Sequence, residues 1–147
     1  LAVFGNHSPT MFPDLENTVV DGKNAYKSIN NHEWVENEFL PRVQQRGAEI
    51  IQARGASSAS SAARAACETV KAVEHPTRSG DVFNAAVMSD GAYDMPEGIF
   101  SGFPLISDGR GSIEIVRDFS LSDFAKTGLK RTADELVAER NLVKDLI

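Results

Sequence analysis

The stretch VFNAAVMSDGAYDMPEGIFSGFPLISDGRGSIEIV, Val82 to Val116, decides how the chain folds. Val82 to Met88 and Ile99 to Ile106 are apolar runs of strand length, the second rich in Phe and Ile, and Ile113 to Val116 continues them. Met95-Pro96-Glu97-Gly98 marks a turn between the first two. Asp108-Gly109-Arg110-Gly111 is a hairpin signal between the last two, because glycines tolerate the positive φ of a tight turn. Strands joined so closely pair antiparallel.

Downstream, Ser120 or Ser122 can cap a long helix in which Phe124, Ala125, Leu129, Ala133, Leu136, Val137, Val143 and Ile147 trace an amphipathic stripe. Arg131 with Glu135, and Lys130 with Asp134, are spaced for weak surface pairs. Gly128 is expected to weaken this helix by up to ~1 kcal/mol relative to alanine. Upstream, Ala59, Ala62, Ala63, Ala66, Cys67 and Val70 make a helix face of unusually small side chains, with Ser57 or Ser58 as its cap. High helix propensity and almost no glycine favour a buried helix there over a low-complexity linker. Val43, Gly47, Ile50, Ile51 and Arg54 lie at helical spacing before Gly55, where a helix can stop. Pro41 is expected to kink or restart a helix capped by Asn30 or Asn31 and running through Trp34 and Phe39. Val19-Val20 with Asp21-Gly22 reads as a short strand ending in a turn, and Leu1 to Phe4 as an opening strand. The order is strand, helices, strands, long helix. It predicts an α+β layer with helices on a mainly antiparallel sheet, without the regular alternation of a doubly wound fold.

A chain of 147 residues, 41% hydrophobic and 24% charged, suits one domain with a real core, and no repeat or linker divides it. The net charge of −6 and the lack of a basic stripe argue against a nucleic-acid or anionic-membrane surface. No apolar run approaches the ~20 residues of a membrane span. Cys67 is the only cysteine, so no intrachain disulfide can form and a reducing compartment is expected. The sequence begins without methionine inside a strand, which leads us to expect a fragment of a larger protein.

Of three histidines, His7 is the candidate for chemistry. It follows the apolar Leu1 to Phe4 and Gly5, whose missing side chain would let a ligand approach. From spacing alone a structural or surface role still outweighs catalysis. His32 and His75 read as solvated surface residues. Ser8 adjoins His7 too closely in sequence for a proton relay and no Gly-x-Ser-x-Gly elbow occurs, so a hydrolase is disfavoured. His7 and Asp14 lack any familiar metal-ligand spacing, and no metal site is expected. No phosphate loop or Gly-x-Gly-x-x-Gly motif is present. Arg42, Arg46, Arg54 and Arg64 could hold a carboxylate, but on helices of an acidic chain they fit a solvated or subunit face.

Several blocks together carry a resemblance. They are Gly5-Asn6-His7-Ser8 with Thr10, Gln45-Arg46-Gly47-Ala48-Glu49-Ile50-Ile51, Ala53-Arg54-Gly55-Ala56-Ser57-Ser58-Ala59, and Pro96-Glu97-Gly98-Ile99 with Phe103-Pro104. In this order the chain resembles the malate dehydrogenases, the cytosolic and related bacterial branch of the lactate/malate dehydrogenase family. The likeness runs over essentially all 147 residues. The lactate branch usually reads Gly-Glu-His-Gly at the histidine, so the chain sides with malate.

The resemblance implies the C-terminal, substrate-binding and dimerisation half, residues 1–147, of a two-domain NAD-dependent enzyme that interconverts malate and oxaloacetate. His7 would accept the proton of the malate 2-hydroxyl as hydride leaves C2 for the nicotinamide, and return it in reverse. Asn6 would shape the turn holding it, while Gly47 and Ser57 would line the substrate and nicotinamide pocket. The resemblance also implies a homodimer, built in part on the small-residue helix and the last helix, and a cytoplasmic location. The departures are as informative. The family's dinucleotide-binding Rossmann domain, its histidine-orienting aspartate and its substrate-clamping arginines have no match here, and Arg46 and Asp14 do not take those roles by motif. Alone, the chain is expected to be inactive. The alternatives are a related lactate-type dehydrogenase and a non-catalytic dimerisation or binding module.

Overall fold

A computed structural model describes residues 1–146. The chain runs through β1 (Ala2–Phe4), β2 (Phe12–Asp14), β3 (Val19–Val20), β4 (Lys23–Asn24), α1 (Ala25–Ile29) and α2 (His32–Trp34). A π-helical turn (Val35–Phe39), α3 (Leu40–Arg54), α4 (Ala59–Glu74), β5 (Phe83–Met88), a 3-10 turn (Ala92–Asp94), β6 (Phe100–Ser107), β7 (Ile113–Ile115) and α5 (Asp123–Val143) follow.

The expected sheet forms. β5, β6 and β7 pair antiparallel in that order, from Met88 opposite Phe100 to Phe83 opposite Leu105, and from Leu105 opposite Ile115 to Ser107 opposite Ile113. Asp108 closes the hairpin by accepting the amides of Arg110 at 2.8 Å and Ser112 at 3.1 Å, with Gly109 and Gly111 at positive φ. Phe103 and Leu105 project into a core shared with Phe4, Met95, Ile99 and Leu129. β1 and β2 form their own antiparallel pair, which is fastened to the larger sheet at two points. Gly102 and Gly5 exchange backbone hydrogen bonds, 2.9 and 3.3 Å long. The Asn84 side chain accepts from the Val3 amide at 2.7 Å and donates to the Val3 carbonyl at 2.9 Å, acting as a strand partner made of side chain. The α+β layer with helices on antiparallel sheet is the architecture of the chain.

Pro41 does not break its helix. Asn31 caps α2 by accepting the Trp34 amide at 3.0 Å. The chain then widens into the π-helical turn, in which the Leu40 amide bonds the Val35 carbonyl, and Pro41 falls in the first turn of α3. The π-helical turn directly before it shifts the hydrogen-bond pattern just where proline has no amide to offer. α3 thus restarts at Leu40 after the π-helical turn, one of the two outcomes expected at Pro41, and the helical run is not interrupted. At β3 and β4 the Asp21-Gly22 turn is present, both residues at positive φ.

The small-residue helix requires a correction. α4 is a helix, but none of its residues is buried within this chain, and Val70 is 62% exposed. Small side chains permit a close approach, yet β5 and β6 reach α4 without burying any of its residues. α4 is held at its C-terminal end, where the Ser107 hydroxyl donates to the Val73 carbonyl at 2.6 Å. Ser58 occupies the cap position without bonding a helix amide, its hydroxyl lying 2.6 Å from that of Ser61.

α5 carries the stripe expected of it: Ala125, Leu129 and Ala133 are buried, with Phe124, Leu136 and Val137 packed at the margin. Val143 is exposed, and Ile147 lies outside the described residues. Ser122 caps the helix by accepting the Ala125 amide at 3.2 Å, and the Glu16 carboxylate accepts from the Ser122 amide and hydroxyl. Gly128 is more than a weak point. A Cβ there would stand 2.3 Å from Cδ2 of the buried Phe12 ring, so glycine is what allows β2 to lie against the helix. Alanine would gain up to ~1 kcal/mol in helix propensity but overpacks the contact at a cost of ~1–3 kcal/mol. Gly128→Ala is therefore expected to lower the urea unfolding midpoint of the purified protein. A raised midpoint would show that the Phe12 ring moves aside freely.

Candidate active site

His7 follows the exit of β1. Gly5, at φ +92°, turns the chain off the sheet after its pairing with Gly102, and residues 6–10 then pass along α5. That passage is held on both sides of the histidine. The Asn6 amide donates to Thr132 Oγ1 at 2.9 Å, and the Asn6 side-chain amide donates to Glu139 Oε1 at 3.0 Å and Glu135 Oε2 at 3.5 Å. The Ser8 hydroxyl donates to Glu135 Oε2 at 2.5 Å, and the Thr10 hydroxyl donates to the same oxygen. Ser8 Oγ also accepts the Thr10 amide at 3.0 Å, and the Thr10 and Thr132 hydroxyls lie 3.0 Å apart. The donated hydrogen bonds of Ser8 and Thr10 hold the Glu135 carboxyl below its ordinary range, against the opposing effect of burial. The loop is fixed by its backbone and its neighbours, while the His7 ring itself is exposed.

Gly5 acts differently from its expected role. A Cβ on it would stand 2.2 Å from Thr132 Oγ1 and 2.3 Å from Thr132 Cγ2. The approach it permits is that of α5, where a ligand was expected.

The other candidates are more loosely gathered. Asn6 directs its side chain to the α5 carboxylates. Gly47 sits exposed on α3, with no atom within 4 Å of where its Cβ would be. The same helix reaches the loop one turn earlier, where the Gln44 side-chain amide donates to the Met11 carbonyl at 2.8 Å. Ser57 is exposed in the connection between α3 and α4. His32 and His75 have structural contacts: the His32 ring lies 2.9 Å from the Tyr26 hydroxyl and packs edge-on to Phe124, and His75 Nδ1 meets the Lys71 carbonyl at 2.9 Å. Asp14 is wholly buried at the end of β2, and its carboxylate accepts the Asn17 backbone and side-chain amides at 3.1 and 2.7 Å. Burial pushes its pKa up. Among the described residues no cluster of three or more His, Cys, Asp or Glu side chains could hold a metal ion. Arg46 is paired with Glu49 at 2.9 Å.

The sequence reading missed Thr132, Glu135 and Glu139, which share one face of α5 at spacings of three and four. It assigned Glu135 to a surface pair with Arg131. Lys130 and Asp134 do pair, at 3.0 Å, but Glu135 is engaged by the two loop hydroxyls. A polar row, Thr132, Glu135 and Glu139, flanking the apolar stripe was the available signal.

Fold and site together describe an α+β domain that presents a histidine on a pinned loop. The model of the lactate/malate dehydrogenase, alpha/beta C-terminal domain, matches residues 1–147, and the chain belongs to that family. It is 46% identical over 147 residues to the malate dehydrogenase of Magnetococcus marinus, covering all of this chain and 45% of that protein. Its fold matches the crystal structure of malate dehydrogenase from Naegleria fowleri with a TM-score of 0.90 at 36% identity, covering 99% of this chain and 44% of that one. Trichomonas vaginalis lactate dehydrogenase, in complex with NADH and oxamate, matches with a TM-score of 0.87 at 28% identity, covering 97% and 45%. The chain thus spans a little under half the length of these relatives. Among the described residues no helix is long and apolar enough to cross a membrane.

Proposed function

We propose that residues 1–147 are the C-terminal, substrate-binding half of an NAD-dependent malate dehydrogenase, and that His7 is its proton acceptor and donor. The observation that carries this reading is the pinned loop: an exposed imidazole between Asn6 and Ser8, both anchored to α5, on a chain of this family. In the oxidation of malate the neutral imidazole accepts the 2-hydroxyl proton. In the reduction of oxaloacetate the imidazolium polarises the ketone and returns the proton. Asn6 keeps the turn in shape, Gly47 leaves space beside the substrate, and the Ser57 hydroxyl is free to hydrogen-bond to it.

The residues of this chain do not fit a dinucleotide site of their own. Every strand pairing in the described sheets is antiparallel, and among the described residues no glycine-rich loop joins a strand to a helix. NAD would be held by a dinucleotide-binding half joined to this chain in the intact protein, and would there supply the hydride chemistry at C2, while His7 handles the proton. By itself the chain is inactive. The uncovered small-residue face of α4 supports a homodimer, and the likeness to the cytosolic branch supports a cytoplasmic location.

Steady-state rates with oxaloacetate and with pyruvate test the substrate. The intact protein is expected to prefer oxaloacetate by more than about 100-fold in kcat/KM, because a site built to pair a second carboxylate leaves its cation unmatched with pyruvate. Preference for pyruvate would make this a lactate-type enzyme. A reading as a non-catalytic module would need the purified native protein to have the 15.9 kDa mass of this chain.

A further inference from the structure

We infer that Glu135 is a positioning residue for the proton transfer at His7, fixing the loop through hydrogen bonds that converge on one carboxylate oxygen. The inference rests on the reading of His7 as the acid and base. Three donors from the loop point to Glu135 Oε2: the hydroxyls of Ser8 and Thr10, and more distantly the side-chain amide of Asn6. They flank the histidine on both sides. Thr132, one turn earlier on the same helix and wholly buried, accepts the Asn6 backbone amide.

Chemistry explains why a carboxylate stands there. An ionised carboxylate accepts only, so each hydroxyl must direct its single proton to it, and charge-assisted bonds of this kind are roughly twice as strong as neutral ones. The same donors lower the pKa of Glu135, favouring the ionised form that only accepts. The helix itself is rigidly based, since Ala125, Leu129 and Ala133 seat it in the core. The backbone that carries the exposed His7 ring is thereby held from a helix more than a hundred residues away in sequence. Misplacing a reacting group by about 1 Å can cost 100-fold in rate without any loss of binding.

The convergence on a single oxygen makes a discriminating test possible. Glu135→Gln can present its one carbonyl oxygen at the same point and keep all three bonds, whereas Glu135→Ala keeps none. In the intact protein Glu135→Ala is expected to lower kcat with oxaloacetate by roughly 10- to 100-fold, with KM for oxaloacetate and Kd for NADH within about threefold of wild type. Glu135→Gln should recover kcat to within about threefold of wild type. The double substitution Ser8→Ala with Thr10→Val removes the two hydroxyl donors while leaving Glu135 and the more distant Asn6 amide in place, and it should reproduce most of the loss; it stands in for Glu135→Ala if that variant does not fold.

Three outcomes would overturn the inference. One is unchanged kcat in Glu135→Ala and in the double variant. Another is a glutamine variant as impaired as the alanine one. The third is a fall in kcat matched by an equal fall in NADH affinity, which is the mark of a general folding defect. His7→Asn, measured alongside, separates the two levels: if it retains turnover, the reading of His7 fails, and if only the Glu135 arms are silent, the positioning role alone is lost.

Discussion

Turnover of oxaloacetate by the intact protein is expected to fall by about 10²- to 10⁴-fold when His7 is replaced by asparagine, the usual contribution of a positioned acid or base. Asparagine preserves polarity and approximate reach but cannot carry the proton, so the loss isolates proton transfer from substrate binding. The structure gives a reason why the substitution should be clean. The loop is held by the Asn6 amide on Thr132 and by the Ser8 and Thr10 hydroxyls on Glu135, and none of these bonds uses the imidazole. The ring is exposed, so its removal leaves no cavity in the core. NADH affinity and thermal midpoint should therefore remain near wild type. A 1000-fold loss corresponds to ~4 kcal/mol of transition-state stabilisation, at about 1.36 kcal/mol per tenfold. Steady-state kinetics with titration of NADH fluorescence are sufficient to check it. Turnover within tenfold of wild type would remove His7 from the mechanism.

The features legible in the sequence are those whose chemistry is local. The hairpin at Asp108 to Gly111, the Asp21-Gly22 turn, and the caps at Asn31 and Ser122 each depend on residues within a few positions, and each is formed as expected. The three strands of the main sheet were readable for the same reason: side-chain type and turn signals agree. What the sequence concealed depends on partners far along the chain. Nothing near Gly128 announces that Phe12 will lie against it, and nothing near Glu135 announces Ser8, 127 positions away. Intrinsic propensity made Gly128 a defect and i,i+4 spacing made Glu135 half of a surface pair. Tertiary contact reversed both. The exposure of α4 has another origin, since a face of small side chains specifies close packing without specifying against what.

The candidate site divides along the same line. His7 could be singled out because a strand and a glycine precede it, but spacing alone favoured a structural role. It gained weight from the neighbouring words Gly-Asn-His-Ser and from the later blocks, and these are matters of likeness. The supports of its loop had only the polar row Thr132, Glu135 and Glu139 as a signal, and nothing in that row names its partners at the opposite end of the chain. Asn84, which clips the opening strand to the sheet through its side chain, is another such residue: in sequence it is a polar interruption of an apolar run.

Gly5 joins the fold to the site, and Gly5→Ala is expected to be strongly destabilising. Two costs add. At φ +92° an L side chain is strained, by ~1–3 kcal/mol. The added carbon would also stand 2.2 Å from Thr132 Oγ1, 2.3 Å from Cγ2 and 2.7 Å from Cβ. Thr132 is wholly buried and its hydroxyl is occupied by the Asn6 amide, so it cannot turn away. Overpacking of that kind costs a further ~1–3 kcal/mol. The sum, ~2–6 kcal/mol, is a large part of the ~5–15 kcal/mol by which a native domain is stable. The two costs can be separated by experiment. Combining Gly5→Ala with Thr132→Gly removes the collision, Cβ included, and leaves the backbone strain. The double variant should therefore be less unstable than the sum of the two single variants, by roughly the 1–3 kcal/mol of overpacking. Strict additivity in urea unfolding would mean that the collision is relieved by a shift of α5, and the helix would then not be the rigid base on which the His7 loop rests. A surplus of stability in the double variant would instead confirm that the glycine holds strand, loop and helix at a distance no larger residue permits.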